Sequence, residues 1–485
     1  MIEKIKEHKK DILTFLVILI ISLIMCSAFL RPHYPHDTYK IIRDGLTHHS
    51  YERFLQDGRP FTAILTVLAD MVNMPIEVYM ILSLILALIF LSCSVVIIYK
   101  MFKSKLAENS KIFNIMLILI SFIIIYNYLS IEYIYYLESF MLALGILLSV
   151  LAFGVIINKE KYGYIKSCII MIIAAFCYQG SIAIFPMLAV TYFLLFEKDN
   201  LKENIVNIIK VALIYGFSML LTIIYSNVLF AATRIRVSFL DFDFADLLNR
   251  IKILVIDSLD VIPSYVHIGI ILFTVICICF AKKDKIKLLL SYLFIIIASI
   301  GICITPTIIG SGLDMEPRIC MAFGTTIGIS LLFILYMVQK SNKYLKTLAY
   351  VFISIVFVLN FAVYLIITYQ HIMVNKLDEK NCEIINEVIT EYEKENNIEV
   401  NKIAVVLREG GREYYPGFIE VGDMTQSALT SWAAREAIIF YTGRKMSFEK
   451  VTYEQFMKYF AGKEWDGFSK DQIAIDGDVL LFCGN

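Results

Sequence analysis

Long apolar runs and short polar segments alternate along residues 1–370. A membrane-spanning helix needs about 20 consecutive apolar residues. The runs that meet this requirement cover 11–30, 76–99, 112–130, 134–157, 204–230, 262–281, 287–308, 319–338 and 346–369. Because each of these runs is long enough to cross a bilayer, the pattern predicts a polytopic α-helical membrane protein.

Residues 167–196 form a longer apolar segment that is interrupted at 177–181 by the sequence CYQGS. Lysines flank both of its ends, and loops rich in Lys and Arg remain in the cytoplasm, so both ends are expected on the cytoplasmic side. The segment is therefore predicted to be a pair of short helices or a re-entrant hairpin. With the basic N-terminus inside, as the start of an uncleaved first helix, the chain is predicted to have about ten or eleven transmembrane helices.

This topology collects four polar segments on the outer face of the membrane. They cover residues 31–60, 130–139, 233–252 and 310–318. The first of them alone carries four acidic residues and four histidines. The ionisable groups that are able to do chemistry are therefore expected on the extracytoplasmic side of the cell membrane.

Residues 371–485 are predicted to form a soluble extracytoplasmic domain that follows a transmembrane domain at 1–370. Apolar residues in this tail recur at helical spacing in some segments and form short β-type runs in others. The predicted helices cover 377–397, 427–443 and 452–462, and the predicted strands cover 402–408 and 479–483. This mixture indicates a small α/β or α+β domain.

The composition supports insertion into a membrane. The mean hydropathy is +0.72 and 18% of the residues are charged, whereas about a quarter are charged in soluble globular proteins. The formal net charge is zero, but the tail is acidic, with 13 Lys or Arg against 20 Asp or Glu.

The sequence also lacks the motifs of several enzyme classes. It has no glycine-rich nucleotide-binding motif and no G-x-S-x-G elbow. Chemistry on the outer face without nucleoside triphosphates requires an activated substrate that is delivered across the membrane. A sugar on a polyprenyl phosphate meets that requirement, and nothing in the sequence indicates a nucleic-acid partner.

The cysteines and histidines have no metal-binding spacing. Eight of the ten cysteines lie in apolar runs and are interpreted as small core residues. Cys382 and Cys483 lie in the tail, and the sequence does not decide whether they form a disulfide. The four histidines of 31–60 make no i, i+4 pair, so hydrogen bonding to substrate or to lipid headgroups is favoured over metal binding. No cofactor is predicted, and the sequence does not decide whether a divalent metal ion takes part.

Asp37 is the first candidate for catalysis. It lies just beyond the first apolar run, where partial desolvation raises the basicity of a carboxylate and suits it to act as a general base. The alternative is a solvated or helix-capping aspartate, because Thr38 and Tyr39 begin an amphipathic segment.

Arg59 and Arg318 are candidates for binding phosphate. Each lies one or two residues outside an apolar run on the predicted outer side, where a planar guanidinium can hold a lipid-linked phosphate at two points. The alternative is that both arginines only reach toward lipid headgroups.

Three polar residues lie within apolar runs or at their edges. They are Glu138, Tyr178 and Gln179. An ionisable or strongly polar residue is costly at membrane depth and is therefore a functional candidate. The alternative, a satisfied hydrogen bond between helices, is as plausible for Gln179 and less so for Glu138.

Both tryptophans of the chain, Trp432 and Trp465, lie in the tail. An exposed indole can stack on a sugar ring. However, Trp432 stands beside Ala433 and Ala434 in a predicted amphipathic helix, so a position in the core is favoured.

Several motifs resemble those of the bacterial glucosyltransferase II-type membrane proteins, which are associated with serotype conversion and belong to the GT-C-fold glycosyltransferases. The matching segments are HDTYKIIRDG, DGRPF, CYQGS, EPRICMAFG and, in the tail, GDMTQSALTSWAAREAIIFYTGRKM. Each motif is short, but together they extend over nearly the whole chain.

The resemblance implies transfer of a sugar, typically glucose, from a polyprenyl-phosphate donor to a cell-surface glycan, with Asp37 as the base. The family pattern has two adjacent acidic residues where this chain has His36 and Asp37, so Asp44, Asp57 or Glu138 could share the task. The expected substrate-binding residues are Arg59, Arg318, Glu138, Gln179, Tyr178, His36 and Asp44.

Three other functions stay open. A flippase or transporter of lipid-linked oligosaccharide would show charges at mid-membrane and symmetry between the halves of the chain, and neither is evident. A polymerase or ligase differs mainly in the size of the transferred unit. A membrane-anchored binding protein would need only one of the many apolar runs.

Overall fold

The computed structural model describes residues 2–197, 201–229, 245, 248–249, 251–252, 264–280, 284–308, 317–408 and 413–484. Most of the predicted outer segments 233–252 and 310–318 lie outside these described residues. Arg318 is inside them.

Helices account for most of the chain as far as residue 396. Their bounds are α1 Ile2–Met25, α2 His36–Asp44, α3 Leu46–His49, α4 Pro60–Met71, α5 Ile76–Lys103, α6 Lys111–Ile125, α7 Ser139–Ile157, α8 Gly163–Cys177, α9 Ile184–Leu195, α10 Leu201–Leu229, α11 Ser264–Cys279, α12 Lys285–Ile308, α13 Met321–Val338 and α14 Lys343–Asn396. Short 3₁₀ helices lie at Ser27–Leu30, Tyr128–Ile134 and Gln179–Ala183, and a π-helical turn lies at Ser50–Phe54.

Six helices in the described part of the chain are long and apolar enough to cross a membrane. They are Ile76–Lys103, Ser139–Ile157, Lys202–Ser226, Lys285–Thr305, Met321–Val338 and Lys343–Asn396. A seventh span results if α6 and the 3₁₀ helix Tyr128–Ile134, which meet at a bend of 64°, count as one. These helices support a polytopic membrane protein.

The bend after α6 is stabilised by asparagine side chains. Asn127 Oδ1 accepts a hydrogen bond from the Leu129 amide at 3.2 Å, and Asn360 Nδ2 of α14 donates to the Tyr126 carbonyl at 2.6 Å. Backbone groups at membrane depth need such partners because lipid offers none. Close packing of α13 against α6 depends on Gly328, where a Cβ atom would lie 2.8 Å from the Ile124 nitrogen.

The interrupted segment 167–196 consists of two short helices, α8 and α9, which agrees with one of the two arrangements expected from the sequence. The 3₁₀ turn Gln179–Ala183 joins them. Ser181 Oγ in this turn donates a hydrogen bond to the Leu142 carbonyl of α7 at 2.7 Å. The polar break therefore packs against a neighbouring helix.

The tail contains a four-stranded mixed sheet. The strands are β1 Lys402–Leu407, β2 Ser447–Glu449, β3 Ile473–Asp476 and β4 Val479–Gly484, in the order β2-β1-β4-β3. β1 is parallel to β2 and to β4, and β3 is antiparallel to β4. Alternate residues of β1 and β4 are buried in apolar clusters on opposite faces, which explains their nearly continuous apolar sequence.

The remaining helices of the tail are short. They are α15 Gly422–Thr425, α16 Ala434–Thr442 and α17 Tyr453–Tyr459, with 3₁₀ turns at Ala428–Thr430 and Lys470–Gln472. The prediction of one helix over 427–443 was wrong at its N-terminal end. Ser427 and Ser431 accept hydrogen bonds from the amides of Leu429 and Ala433, both at 3.2 Å, and these local bonds replace the first helical turns.

α14 is the longest helix, with 54 residues. It includes both the predicted span 346–369 and the predicted tail helix 377–397, so residue 370 lies inside a continuous helix. Its C-terminal half packs Cys382, Ile385 and Ile389 against the sheet and α16. The thiols of Cys382 and Cys483 are both free.

Candidate functional site

Asp37 lies in the first turn of α2, which starts at His36 directly after Pro35. A carboxylate at this position interacts favourably with the positive end of the helix dipole. The side chain is half-buried. Burial lowers the pKa of His49 and raises the pKa of Glu138, and the negative charge of Asp37 acts on both groups in the upward direction. Asp37 therefore lies within electrostatic range of Glu138, the residue before α7.

Glu138 precedes α7 and is only 7% exposed. Burial raises the pKa of its carboxyl group, the charge of Arg59 lowers it, and the charge of Asp37 raises it again. Arg59 Nη1 lies 3.5 Å from Glu138 Oε1. Two predicted residues that are far apart in sequence thus form an ion pair close to Asp37.

Arg59 is held from a second side by the predicted CYQGS segment. Its guanidinium carbon lies 4.7 Å from the centre of the Tyr178 ring, a cation–π contact. Gln179 Nε2 donates to the Asp57 carbonyl at 2.8 Å and fixes the loop before Arg59. Arg59 Nε is buried and has no hydrogen-bond partner within the described residues, so this nitrogen can donate to a ligand.

Arg318 forms a second cationic centre. Its backbone nitrogen and Nη1 donate to Glu132 Oε2 at 3.0 and 3.2 Å, and Glu132 is fully buried. The Arg318 guanidinium also contacts the hydroxyl of Tyr136 and lies 4.8 Å from the centre of its ring. Planar stacking and paired hydrogen bonds are properties of arginine that lysine lacks.

Tyrosines connect the two arginine centres. Tyr133 donates a hydrogen bond to the Arg318 carbonyl at 2.7 Å, and its ring contacts the Tyr178 ring at 5.8 Å. Tyr178 in turn carries Arg59 on its face. The two arginines therefore belong to one cluster, which the Tyr133 and Tyr178 rings connect. Fixed positive charge in such a cluster can stabilise an anion.

The other two predicted residues, His36 and Asp44, face the tail. His36 Nε2 lies 3.2 Å from the Gln426 carbonyl. Asp44 pairs with Arg43 at 2.6 Å, and Arg43 also pairs with Glu436 of α16 at 2.8 Å. His36 therefore contacts the tail directly, and Asp44 is linked to it through Arg43.

The chemistry of this arrangement is that of a base beside an anion-binding centre. Asp37 supplies a half-buried carboxylate, and Arg59 and Arg318 supply positive charge that internal contacts hold in place. No group of three His, Cys, Asp or Glu side chains in the described ranges is arranged to hold a metal ion.

The family model described as glucosyl transferase GtrII matches residues 26–325, more than half of the chain. The chain belongs to the GtrII family. No curated protein and no solved structure matches it. The matched region of this GtrII glycosyltransferase contains Asp37, Arg59, Glu138 and Arg318, and it ends before α14 and the tail.

Sequence reasoning missed two residues of the candidate site, Glu132 and Tyr136. Both lie in the segment SIEYIYYLES, which was predicted as an outer polar turn. The available signal was an acidic residue among aliphatic and aromatic neighbours, which is costly unless it is paired. The partner, Arg318, is 186 residues away and is not predictable from local sequence.

A buried histidine gives the GtrII protein a predicted acid sensitivity. His33 stacks on Phe29 with ring centres 4.4 Å apart and contacts the His371 ring at 5.5 Å. Burial lowers the pKa of His33 to about 4, against the opposing effect of the Arg31 and Tyr135 carbonyls. Because the unfolded chain takes up this proton near pH 6.5, the stabilising contribution is complete above about pH 6.5 and is lost as the pH falls toward 4.

We therefore expect the thermal midpoint of the detergent-solubilised protein to decrease as the pH is lowered from 7 to 4.5. His33→Phe retains the ring stacking and should flatten this dependence. His48 is exposed and pairs with Glu52, so His48→Gln is the matched control that keeps the wild-type slope. An unchanged slope in His33→Phe would contradict the prediction.

Proposed function

We propose that this GtrII protein transfers glucose from a polyprenyl-phosphate donor to a cell-surface glycan on the outer face of the membrane. The observation that carries the proposal is the Arg59–Glu138 ion pair in one cluster with Arg318, within electrostatic range of Asp37. A glucosyl transferase of this family needs a sugar donor and a glycan acceptor. A lipid phosphate is the leaving group that two outer arginines suit best.

The proposed reaction is a direct displacement at the anomeric carbon. Asp37 accepts the proton of an acceptor hydroxyl while the oxygen of that hydroxyl forms a bond to the anomeric carbon of glucose. The bond from that carbon to the phosphate oxygen breaks at the same time, and its electron pair leaves with the phosphate. Attack opposite the leaving group inverts the configuration.

Arg59 and Arg318 stabilise the negative charge on the departing lipid phosphate. Arg59 Nε, which is buried without a partner in the described part of the chain, donates to a phosphate oxygen. Tyr178 and Glu138 keep the guanidinium in place before the donor arrives, so little reorganisation is needed in the transition state. Glu132 does the same for Arg318.

The proposal includes the membrane arrangement. Ten or eleven helices of GT-C type at 1–370 place the cluster at the outer headgroup level, and residues 371–485 form an extracytoplasmic domain. The distribution of lysines in the loops supports this orientation. The polar segments 31–60 and 130–139 then meet on the same side of the bilayer.

The test is glucose transfer by purified protein in detergent micelles. Polyprenyl-phosphate-[¹⁴C]glucose and surface glycan should give labelled glycan with inverted anomeric configuration, whereas UDP-[¹⁴C]glucose without the lipid should give none. A flippase gives no product in micelles, since there is no bilayer to cross. Transfer only from a lipid-linked oligosaccharide would instead identify a polymerase or ligase.

A further inference from the structure

Trp432 has an exposed indole on the surface of the tail. It lies in the turn between the 3₁₀ helix Ala428–Thr430 and α16, and it is 45% exposed. Its neighbours Ser431 and Ala433 are buried, so the turn itself is well packed. The expectation that Trp432 belongs to the core was therefore wrong, because the predicted helix does not extend through this turn.

The indole lies next to His36, the residue that precedes the candidate catalytic Asp37. The ring centres of Trp432 and His36 are 6.4 Å apart and the rings are nearly perpendicular. His36 is the residue directly before Asp37. A ligand resting on the indole is consequently close to the start of α2, where the proposed base lies.

Residues 423–426 of the tail make specific contacts with the start of α2. His36 Nδ1 lies 3.7 Å from Asp423 Oδ1, and its other ring nitrogen contacts the Gln426 carbonyl. Tyr135 donates a hydrogen bond to the Asp423 carbonyl at 3.0 Å. Residues 423–426 thus contact both polar outer segments, 31–60 and 130–139.

Further along the same interface, Tyr39 and Tyr441 share a hydrogen bond of 2.8 Å between their hydroxyl groups. Arg43 pairs with Glu436, which is only 6% exposed on its side chain. These contacts join α2 to α16, the helix that follows the turn. The helix that begins directly after the Trp432 turn is therefore attached to the helix that carries Asp37.

Two polar residues that suit a sugar contact His36, the same residue that the indole contacts. The Asp423 side chain is about one-quarter exposed, and Gln426 is half-buried. An aromatic surface combined with a few placed carboxylate and amide groups is a typical arrangement of small-molecule sites. The indole face packs on the C–H face of a pyranose, and the polar groups bond its hydroxyls.

We propose that Trp432 is the platform for the acceptor glycan, with Asp423 and Gln426 hydrogen-bonding the hydroxyls of the stacked pyranose. This inference rests on the proposed function and deepens it. The platform presents an acceptor hydroxyl to Asp37 while the lipid donor approaches from the arginine cluster. Trp432 lies beyond the region matched by the family, so recognition of the acceptor is a property of the tail.

The first experiment measures binding without any reaction. Trp465→Phe leaves Trp432 as the one tryptophan of the chain, and its fluorescence is titrated with oligosaccharide repeats released by mild acid from the surface glycan of the producing cells. We expect a saturable change in emission. No change, or a change produced only by lipid nanodiscs, would overturn the proposal, the latter in favour of anchoring in the membrane surface.

The second experiment separates acceptor from donor kinetics. Trp432→Ala should raise KM for the acceptor glycan about tenfold, consistent with the energy of one aromatic contact, and leave KM for the donor unchanged. Trp432→Phe should recover part of the loss. Tyr453→Ala is the matched control, since Tyr453 is a 77% exposed aromatic of α17. An unchanged acceptor KM in Trp432→Ala would overturn the proposal.

The two experiments distinguish this inference from the proposed function. Fluorescence titration needs neither donor nor turnover, so it stays informative if the wild type transfers no glucose. It also retains Trp432 and therefore does not depend on the folding of Trp432→Ala. Normal transfer without oligosaccharide binding at Trp432 would reject the platform alone.

Discussion

Asp37→Asn is expected to lower kcat for glucose transfer by about 100- to 10,000-fold, the usual contribution of a general base. Asparagine keeps the shape of the side chain and its place in the first turn of α2, but it cannot accept the proton of the acceptor hydroxyl. The measurement is initial-rate transfer from polyprenyl-phosphate-[¹⁴C]glucose in detergent.

Glu52→Gln is the matched control for Asp37→Asn. Glu52 belongs to the same outer segment, its side chain is 44% exposed and it pairs with Lys40, so its loss should leave the rate within about twofold. Surface ion pairs of this kind contribute little. Transfer that survives in Asp37→Asn and disappears in Glu138→Gln would assign the base to Glu138 instead.

Arg59→Lys is expected to lower kcat by about 100- to 1,000-fold, the cost of removing one donor that stabilises transition-state charge. Lysine retains the positive charge but loses the planar contact with the Tyr178 ring and the buried Nε that is available to a phosphate oxygen. Steady-state kinetics with the polyprenyl-phosphate donor measure the effect.

Arg31→Lys is the control for Arg59→Lys, because Arg31 is an exposed arginine at the end of the first apolar run. Its replacement should change neither kcat nor KM. The two kinetic constants also decide the role of Arg59. A raised donor KM with unchanged kcat would mean that Arg59 only binds the donor, and that it does not stabilise the leaving group.

The residues of the site that sequence could predict are those at the ends of apolar runs. Asp37, Glu138, Arg59 and the CYQGS segment stand out because ionisable and strongly polar groups are rare at membrane depth. Their positions next to spans are local features. The structure adds which of them meet, and it brings Glu138, Arg59 and Tyr178 into direct contact.

Long-range pairing and local hydrogen bonding explain why the other features of the site could not be predicted from the sequence. Glu132 meets Arg318 only through tertiary packing, so no local pattern identifies the pair. The exposed position of Trp432 depends on two serine side chains that bond to nearby backbone amides and end the helical pattern early. Hydrophobic periodicity does not detect that competition.

Hydropathy also divided α14 into two predicted pieces. The segment NKLDEK, at residues 375–380, ends the apolar run but consists of residues that tolerate a helix, with no Gly or Pro. The change from lipid-facing to polar character therefore does not interrupt the backbone. The change in polarity led to the predicted domain boundary at residue 370. The helix continues through it because the residues there have adequate helix propensity.

The length of α14 determines how the two parts of the protein can move. At about 1.5 Å per residue, its 54 residues extend for about 80 Å, whereas a bilayer with its headgroups is about 40–45 Å thick. Asn375, on its middle turns, accepts a hydrogen bond from the Tyr34 amide at 2.8 Å and so joins this rod to the first outer segment. Because this helix is continuous from residue 343 to residue 396, it has no break at which the tail could rotate as a hinged domain.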